Sequence, residues 1–234
     1  MKYPSSHRQN ARAREGTRWT PEEVSSLAGK LIVFEWIDGA GKTTQSRMFA
    51  DRLRKGGRGG IRGVPPIVET REPTGGHWGY LAKQRGKVPG RLIYFLRDRQ
   101  EHVERVIAPA LAQGCLVICD RYEPSTLAYQ TALHGNPREV VMAAMGLVKA
   151  PRPDWIVWLR VNQRIAVRNR FTPLEAEQQS AEDQIRDLEK LDREYAYQAM
   201  LGLVQWSQVD GEGTAVQVKA RIWRAFSQWR KKYA

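Results

Sequence analysis

A short glycine-bearing loop near the start of the chain carries the residue types that hold phosphate groups. Residues 39–44 read Gly-Ala-Gly-Lys-Thr-Thr and follow an apolar run at residues 32–35. Glycines let backbone N–H groups approach an anion, a lysine reaches the outer phosphates of a nucleotide, and a threonine hydroxyl can bind magnesium. The usual pattern has a glycine where this chain has Trp36, so the motif is incomplete at its first position. Because the loop follows a strand and precedes a helix, we favour phosphate binding over an ordinary turn with a capping threonine.

Charged side chains also stand at the carboxyl ends of two further predicted strands. Asp120 and Arg121 follow the apolar run at residues 115–119, and Arg71 follows the strand at residues 65–70. Ligands of open α/β sheets bind at the carboxyl ends of the strands. A guanidinium fork can bond two oxygens of one phosphate, whereas the alternative for each arginine alone is a surface ion pair. Together these strand ends suggest phosphoryl transfer.

Strands and helices alternate along the chain, as a parallel sheet requires. Predicted strands occupy residues 32–35, 65–70, 115–120, 154–159 and 204–209, and predicted helices occupy residues 46–53, 92–113, 126–133, 137–149 and 163–194. The last of these helices is highly charged, breaks at Phe171-Thr172-Pro173 and is expected to be mobile. One stripe of a final helix is predicted at Ala215, Lys219, Ile222, Phe226 and Trp229. We therefore expect an α/β fold of the P-loop NTPase type, with three layers, a parallel sheet of about five strands and a mobile lid.

The composition suits one domain outside the membrane. The chain has 234 residues, of which 41% are hydrophobic, enough for a single α/β core. No apolar run nears the roughly 18 residues that span a bilayer, and the chain does not begin with a secretory pattern, so we expect a cytoplasmic protein. Cys115 and Cys119 share one predicted strand and cannot bridge at extended spacing, so we interpret them as reduced core residues.

The formal net charge of +13 is concentrated at the two ends of the chain. Residues 1–18 are basic and without apolar periodicity, which predicts disorder, and Thr20-Pro21-Glu22-Glu23 carries the capping residues of a short helix. We therefore divide the chain into an N-terminal extension, residues 1–28, and a catalytic domain, residues 29–234. A solvated face and a disordered tail are favoured over a nucleic-acid site as the explanation of the charge.

From about residue 31 to residue 229 the chain resembles the thymidylate kinase family, whose members phosphorylate thymidine monophosphate with ATP. The resemblance rests on blocks in a fixed order, which are residues 34–43, 70–73, 95–99, 120–122 through 129–130, and 153–155. Each block alone is modest support for the resemblance, but the order and spacing of the blocks together are strong support. The resemblance implies a P-loop nucleoside monophosphate kinase domain with a lid at about residues 164–190, and a homodimer.

The resemblance assigns the donor side of the site to the loop. The implied ATP-binding residues are Asp38, Gly39, Ala40, Gly41, Lys42, Thr43 and Thr44. Lys42 and the loop amides would hold the phosphates, Thr43 would bind magnesium, and Glu35 and Asp120 would orient the waters of the metal. Asp38 would also reach the sugar 3′-hydroxyl of the acceptor.

The acceptor side is implied to lie along the next blocks. Arg71 and Arg121 would grip the acceptor phosphate, Phe95 would stack on thymine, and Arg99 would donate to thymine O4, a contact that the amino group of cytosine would repel. Phe95 and Arg99 are one helical turn apart and so share a face. Ser125 and Thr126 would border the base edge, and Tyr129 would crowd the sugar 2′ position. Phe95 and Tyr129 could each be core aromatics instead.

A further arginine is implied in the lid, because Gly39 occupies the alternative position in the loop. The candidates are Arg164, Arg168 and Arg170, and we choose Arg168 and Arg170 as catalytic together with Lys42 and Arg121. The lid departs from the family because residues 171–175 and an acidic helix replace a basic, glycine-containing turn. Trp36 is the other departure, and it is compatible with the fold if its backbone needs no positive φ and its indole points away from the phosphates. Alternatively, Trp36 narrows the acceptor pocket.

The leading hypothesis is a thymidylate kinase that uses ATP and Mg²⁺. One alternative is a deoxynucleoside monophosphate kinase of altered base preference. Another is a catalytically weakened domain that binds nucleotide or nucleic acid through its basic ends.

Overall fold

The computed structural model describes residues 24–37, 39–55, 63–84, 90–170 and 180–233, except for the side chains of residues 169, 170 and 181. In this part of the chain, five strands form one parallel sheet in the order β2-β3-β1-β4-β5. The strands are β1 (Leu31–Glu35), β2 (Ile67–Arg71), β3 (Leu116–Asp120), β4 (Trp155–Arg160) and β5 (Trp206–Asp210). All five predicted strands are confirmed, with ends that differ by about two residues at most.

The parallel register brings the chemically active strand ends together. β1, β3 and β4 are buried almost throughout, as their continuous apolar sequences require for strands covered on both faces. Asp120 at the end of β3 lies opposite Phe34 of β1 and opposite Arg71 of β2. Glu35, Arg71 and Asp120 therefore end three adjacent strands at one edge of the sheet.

Helices connect the strands on both faces. They are α1 (Lys42–Arg54), α2 (His77–Ala82), α3 (Arg91–His102), α4 (Ala108–Ala112), α5 (Glu123–Ala132), α6 (Arg138–Met145), α7 (Gln163–Arg170), α8 (Ala181–Met200) and α9 (Ala215–Tyr233). A π-helical turn, Val103–Ile107, joins α3 to α4. The long helix predicted at residues 92–113 is therefore a continuous α–π–α segment, and α2 has no counterpart among the predicted helices.

Two hydrophobic clusters fill the interior, one on each face of the sheet. On the first face, α9 packs against α1, where the Phe49 and Phe226 rings lie 4.9 Å apart in an edge-to-face arrangement. The predicted stripe of α9 is correct at Ile222, Phe226 and Trp229, which are buried. It is wrong at Ala215, which is exposed, and Val218 is the first buried residue of α9.

Several predictions fall at or beyond the limits of the described residues. Residues 1–23 of the predicted extension (residues 1–28), which include the predicted first turn at residues 20–23, lie outside them, as does the break at residues 171–173. Val24 and Ser25 are helical. Cys115 and Cys119 are free and buried, as predicted. Among the helices described, none is long and apolar enough to cross a membrane.

Candidate active site

The loop between β1 and α1 has the backbone geometry of an anion cradle. Gly39 and Gly41 have φ angles of 81° and 83°, and Gly41 is the residue immediately before α1. A Cβ at Gly41 would meet no atom within 4 Å, so the left-handed backbone, not space, calls for glycine here. The positive end of the α1 dipole therefore faces the loop, as phosphate binding requires.

The remaining loop residues lie where the sequence predicts them. Lys42 is buried at the first position of α1, and its Nζ donates to the carbonyl oxygen of Ile37 at 2.6 Å. Ala40 is buried and Thr44 is exposed on the first turn of α1. Asp38 lies outside the described residues. The loop thus brings one buried cation to the end of β1.

Thr43 and Asp120 meet across the gap between α1 and β3. The Thr43 hydroxyl donates to Oδ2 of Asp120. The other carboxylate oxygen, Oδ1, is buried and has no hydrogen-bond partner among the described residues. An unpaired buried carboxylate oxygen is costly, so this atom points to a ligand that supplies positive charge or a proton.

Glu35 is held by three donors at the beginning of α5 and on α8. Its Oε1 accepts from the backbone N–H of Tyr122 at 2.7 Å, and its Oε2 accepts from the hydroxyls of Ser125 at 2.6 Å and Tyr195 at 3.1 Å. Burial raises the pKa of Glu35 above its ordinary 4.5, although the Ser125 hydrogen bond and the nearby charges of Arg121 and Lys42 oppose the shift. The carboxylate therefore connects the loop to the acceptor side of the site.

A cavity of about 440 Å³ opens beside the ends of β2 and β3, a volume within the range of small-ligand sites. Its lining includes the predicted acceptor residues Arg71, Phe95, Arg99, Arg121, Ser125, Thr126 and Tyr129. The eighth predicted acceptor residue, Asp38, lies outside the described residues. One cavity therefore collects residues that are spread over three separate sequence blocks.

Two of the arginines that line this cavity are Arg71 and Arg121. Arg71 is exposed at the end of β2. Arg121 has a φ of 71°, which is unusual for a residue with a side chain. Its guanidinium donates to Ser125 Oγ at 2.9 Å and to the Tyr129 hydroxyl at 3.3 Å. Two arginines thus line one cavity, and guanidinium groups can bind an anion through paired hydrogen bonds.

A buried ion pair, Arg99 with Glu72, also lines the cavity. The Arg99 guanidinium donates to Glu72 Oε2 from Nε at 2.9 Å and from Nη2 at 2.6 Å, and Nη2 also donates to Thr126 Oγ1 at 2.8 Å. The third nitrogen, Nη1, is buried and has no hydrogen-bond partner among the described residues. Phe95, on the same helix, is half-buried and lines the same cavity. Arg99 therefore retains one donor group for a ligand.

His102 completes the support beneath Arg99. Its Nδ1 lies 3.1 Å from Glu72 Oε1 and its Nε2 lies 2.6 Å from Thr70 Oγ1. Burial alone would raise the pKa of Glu72, but the charge of Arg99 and the hydrogen bonds from His102 and Arg99 outweigh it, so this pKa lies below its ordinary 4.5. Glu72 is thus a carboxylate that fixes the orientation of Arg99.

Sequence reasoning did not find these supporting residues. Glu72 and Gln130 belong to the family blocks, but neither had a predicted role, and His102 was not singled out. A signal for Glu72 did exist, because an arginine placed in a buried pocket requires a carboxylate partner. Gln130 also lines the cavity, and its Nε2 is buried without a hydrogen-bond partner in the described chain.

Two of the predicted lid arginines, Arg164 and Arg168, do not line this cavity. Arg164 and Arg168 are exposed on α7, and the side chain of Arg170 lies outside the described residues. None of the described cavity-lining residues comes from α7. Their catalytic role stays a prediction. The helix after the lid, α8, is fixed to α6 by two hydrogen bonds from Arg138 to Glu194, at 2.5 and 2.6 Å.

Trp36 does not have the backbone that the sequence analysis required of it. Its φ is 146°, so the expectation that a tryptophan fits here only without a positive φ is wrong. The indole is fully buried, with its ring centre 5.5 Å from that of Trp158 and 5.2 Å from that of Tyr195. This aromatic packing offsets the strain. Trp36 does not line the cavity described above, so it does not narrow the acceptor pocket directly.

Comparison with known proteins agrees with this arrangement. The family model described as thymidylate kinase matches residues 34–222. A thymidylate kinase of Xanthomonas campestris pv. campestris (strain B100) is 46% identical over 137 residues, which cover 56% of this chain and 56% of that protein. The chain thus spans little more than half the length of this relative. A thymidylate kinase of Desulfotalea psychrophila is 37% identical over 174 residues, which cover 72% of this chain and 81% of that protein.

A solved structure extends the similarity to the three-dimensional fold. The crystal structure of thymidylate kinase from Ehrlichia chaffeensis superposes with a TM-score of 0.66 and 25% sequence identity, over 86% of this chain and 99% of that one. The resemblance inferred from the motifs is therefore confirmed over most of the chain. The chain belongs to the thymidylate kinase family.

Proposed function

We propose that this chain transfers the γ-phosphoryl group of ATP to thymidine 5′-monophosphate (dTMP), with Mg²⁺ as cofactor. The observation that carries the proposal is one cavity lined by Arg71 and Arg121 together with Phe95 and Arg99. An acceptor that carries both a phosphate and a flat base matches this combination of guanidinium groups and aromatic surface. Neither alternative hypothesis gains a supporting observation from the described residues.

In this proposal the acceptor phosphate lies between the guanidinium groups of Arg71 and Arg121. The thymine ring packs against Phe95, and Nη1 of Arg99 donates to a base oxygen. Cytosine carries an amino group at the corresponding position, which would leave the buried donor unpaired. Such a mismatch discriminates strongly between ligands. Tyr129, which Arg121 holds by its hydroxyl, would favour deoxyribose by crowding the 2′ position.

On the donor side, Lys42 and the N–H groups of the loop hold the β- and γ-phosphates of ATP. Phosphoryl transfer depends chiefly on positioning and on neutralising charge. The lysine at the start of α1 and the helix dipole provide both functions. Arg168 and Arg170 are the proposed lid arginines, which would add positive charge at the transferred group when the lid closes.

The oxygen donors at the end of β3 suit magnesium. Asp120 Oδ1 is an unpaired buried carboxylate oxygen, and the Thr43 hydroxyl lies against the other oxygen of the same carboxylate. In the described chain no three His, Cys, Asp or Glu side chains form a metal cluster, but Mg²⁺ takes only one or two protein ligands when it is shared with phosphates and water. Thr43 and Asp120 would hold the ion, with Glu35 nearby. When bound, it neutralises charge on the phosphate oxygens.

A homodimer and a cytoplasmic location complete the proposal, and both rest on family membership.

The test is a coupled ADP-release assay with each deoxynucleoside monophosphate in turn. The highest kcat/KM is expected with dTMP, and activity should disappear when EDTA removes Mg²⁺. Arg71→Ala should raise the KM for dTMP by roughly 10- to 100-fold, because a charge-assisted bidentate contact is lost. The matched control is Arg224→Ala on the exposed face of α9, which should leave KM unchanged. A higher kcat/KM with another monophosphate, or no dTMP-dependent ADP release, would overturn the proposal.

A further inference from the structure

We infer that Trp36 is a positioning residue for the acceptor-phosphate site and that it acts through Tyr195. The inference rests on the proposed function, because it concerns the binding of dTMP. Trp36 departs from the usual phosphate-loop sequence, and phosphate binding by the loop does not explain why a tryptophan stands at this position.

The first step concerns what holds Trp36 in place. Its φ of 146° is a conformation that glycine adopts readily and that a residue with a side chain adopts at a cost. The indole is fully buried between two other rings, those of Trp158 on β4 and Tyr195 on α8. Ring centres at 5.2 to 5.5 Å with steep interplanar angles of 61° to 62° are the edge-to-face contacts that aromatic side chains prefer. The side chain therefore connects the loop after β1 to α8.

The second step concerns the hydroxyl of Tyr195. It lies 3.1 Å from Glu35 Oε2, to which it donates, and 2.9 Å from Ser125 Oγ. An indole that fixes the Tyr195 ring also fixes this hydroxyl.

The third step leads into the cavity. Ser125 Oγ donates to Glu35 Oε2 at 2.6 Å and accepts from Nη1 of Arg121 at 2.9 Å. Arg121 is the more buried of the two cavity-lining arginines, Arg71 and Arg121, that the proposed function assigns to the acceptor phosphate. Loss of the Tyr195 hydroxyl would leave Ser125 and Glu35 free to reorient, and the guanidinium that they support would be less well ordered. Trp36 thus reaches dTMP through Tyr195, Ser125 and Arg121.

The consequence is specific to the acceptor. Trp36 occupies the first position of the phosphate-loop motif, so direct action on the loop would change ATP binding. A residue that acts through Tyr195 would change dTMP binding instead. Direct action on the loop predicts a changed affinity for ATP and an unchanged affinity for dTMP, whereas action through Tyr195 predicts the reverse.

A double-mutant cycle tests the inference. The dissociation constant of dTMP is measured by isothermal titration calorimetry without ATP for the wild type, Trp36→Gly, Tyr195→Phe and the double variant. Each single change is expected to raise this constant by roughly 3- to 30-fold, with the KM for ATP changed less than about twofold. The double variant should bind dTMP within about twofold of Tyr195→Phe alone, because no hydroxyl then remains for the indole to hold. Trp36→Phe, which retains a ring, should recover most of the affinity.

A matched control separates positioning from general loss of packing. Trp229 is buried among the rings of Trp155 and Phe226 on the α9 side of the core. Trp229→Ala should lower the melting temperature and leave the dTMP dissociation constant unchanged. If Trp36→Gly does not fold, Trp36→Leu takes its place in the cycle, because it fills much of the volume without providing a ring.

Additive effects in the cycle, a weaker affinity for ATP instead of dTMP, or an equal loss of dTMP affinity in Trp229→Ala would each overturn the inference. Failure of the proposed function gives a different result, because the wild type would then show no dTMP-dependent ADP release. Calorimetric binding of dTMP still tests the inference in that case, and a wild type that binds no dTMP overturns both.

Discussion

The buried pair of Glu72 and Arg99 should contribute separately to stability and to base selection. Both side chains are at least nine-tenths buried, and Arg99 donates to Glu72 from two nitrogens. Glu72→Leu would leave the guanidinium charge buried without a counter-charge, which costs about 3–5 kcal/mol. For a domain of this size, 1 kcal/mol corresponds to about 2–4 °C, so the melting temperature should fall by roughly 6–20 °C.

The double variant Glu72→Leu with Arg99→Met separates the two roles. Removing both charges eliminates the unpaired group, and replacement of a buried pair by apolar residues is often neutral. We therefore expect the double variant to regain at least half of the lost stability. It should not regain selectivity, because no donor remains for thymine O4. The ratio of kcat/KM for dTMP to that for deoxycytidine monophosphate should fall roughly 10- to 100-fold in both variants.

The measurements are thermal unfolding by circular dichroism and the two kcat/KM values. Arg54 and Glu69 provide the control, because they form another Arg–Glu pair that contacts β2 and their side chains are 42% and 30% exposed. Glu69→Leu should change stability by less than about 1 kcal/mol, as for other surface ion pairs. A double variant that is as unstable as Glu72→Leu, or a selectivity that survives the loss of Arg99, would refute the reasoning.

Three further outcomes are expected. Lys42→Ala should lower kcat by roughly 10²- to 10³-fold, as removal of one charge-stabilising donor does elsewhere, while calorimetric affinity for dTMP stays unchanged; equal turnover would contradict the donor role of Lys42. Asp120→Asn should raise the Mg²⁺ concentration for half-maximal activity by roughly 10- to 100-fold, measured by titration of Mg²⁺ at saturating substrates, and an unchanged midpoint would exclude it as a ligand. The raised pKa of Glu35 means that its contribution to stability is present below 4.5 and is lost as pH rises through the folded-state value. Urea unfolding between pH 4 and pH 8 should show this decline in the wild type and not in Glu35→Gln, and identical pH profiles would count against it.

The sheet could be predicted from the sequence because its strands have a strong local signal. β1, β3 and β4 are apolar runs that end abruptly in charged or turn residues, and the alternation of strands with helices predicts that the sheet is parallel. α2 lacks such a signal, because it has six residues and contains Gly79. A side chain at Gly79 would lie 2.4 Å from the carbonyl oxygen of Thr74. Close packing therefore requires glycine at position 79, although glycine disfavours helices. No local sequence pattern indicates this requirement.

The candidate site likewise contains residues that could be predicted from the sequence and contacts that could not. Its motif residues could be predicted because a phosphate cradle and arginines at strand ends have recognisable sequences. The pairing of Arg99 with Glu72 joins residues 27 positions apart, and only the packing of α3 against the end of β2 brings them together. Trp36 was recognised as a departure, but its contact with Tyr195, 159 positions later, depends on how α8 returns to the sheet.

The packing of α9 on α1 has a consequence for protein synthesis. Gln45 on the first turns of α1 donates to the carbonyl oxygen of Ala215, 170 residues later in the chain, and Phe226 covers Phe49. At about 5–20 residues per second, a ribosome needs roughly 10–30 s to make that intervening stretch. A nascent chain that already contains the loop at residues 39–44 thus still lacks α9, which packs against α1. We expect it to gain affinity for nucleotide only late in translation.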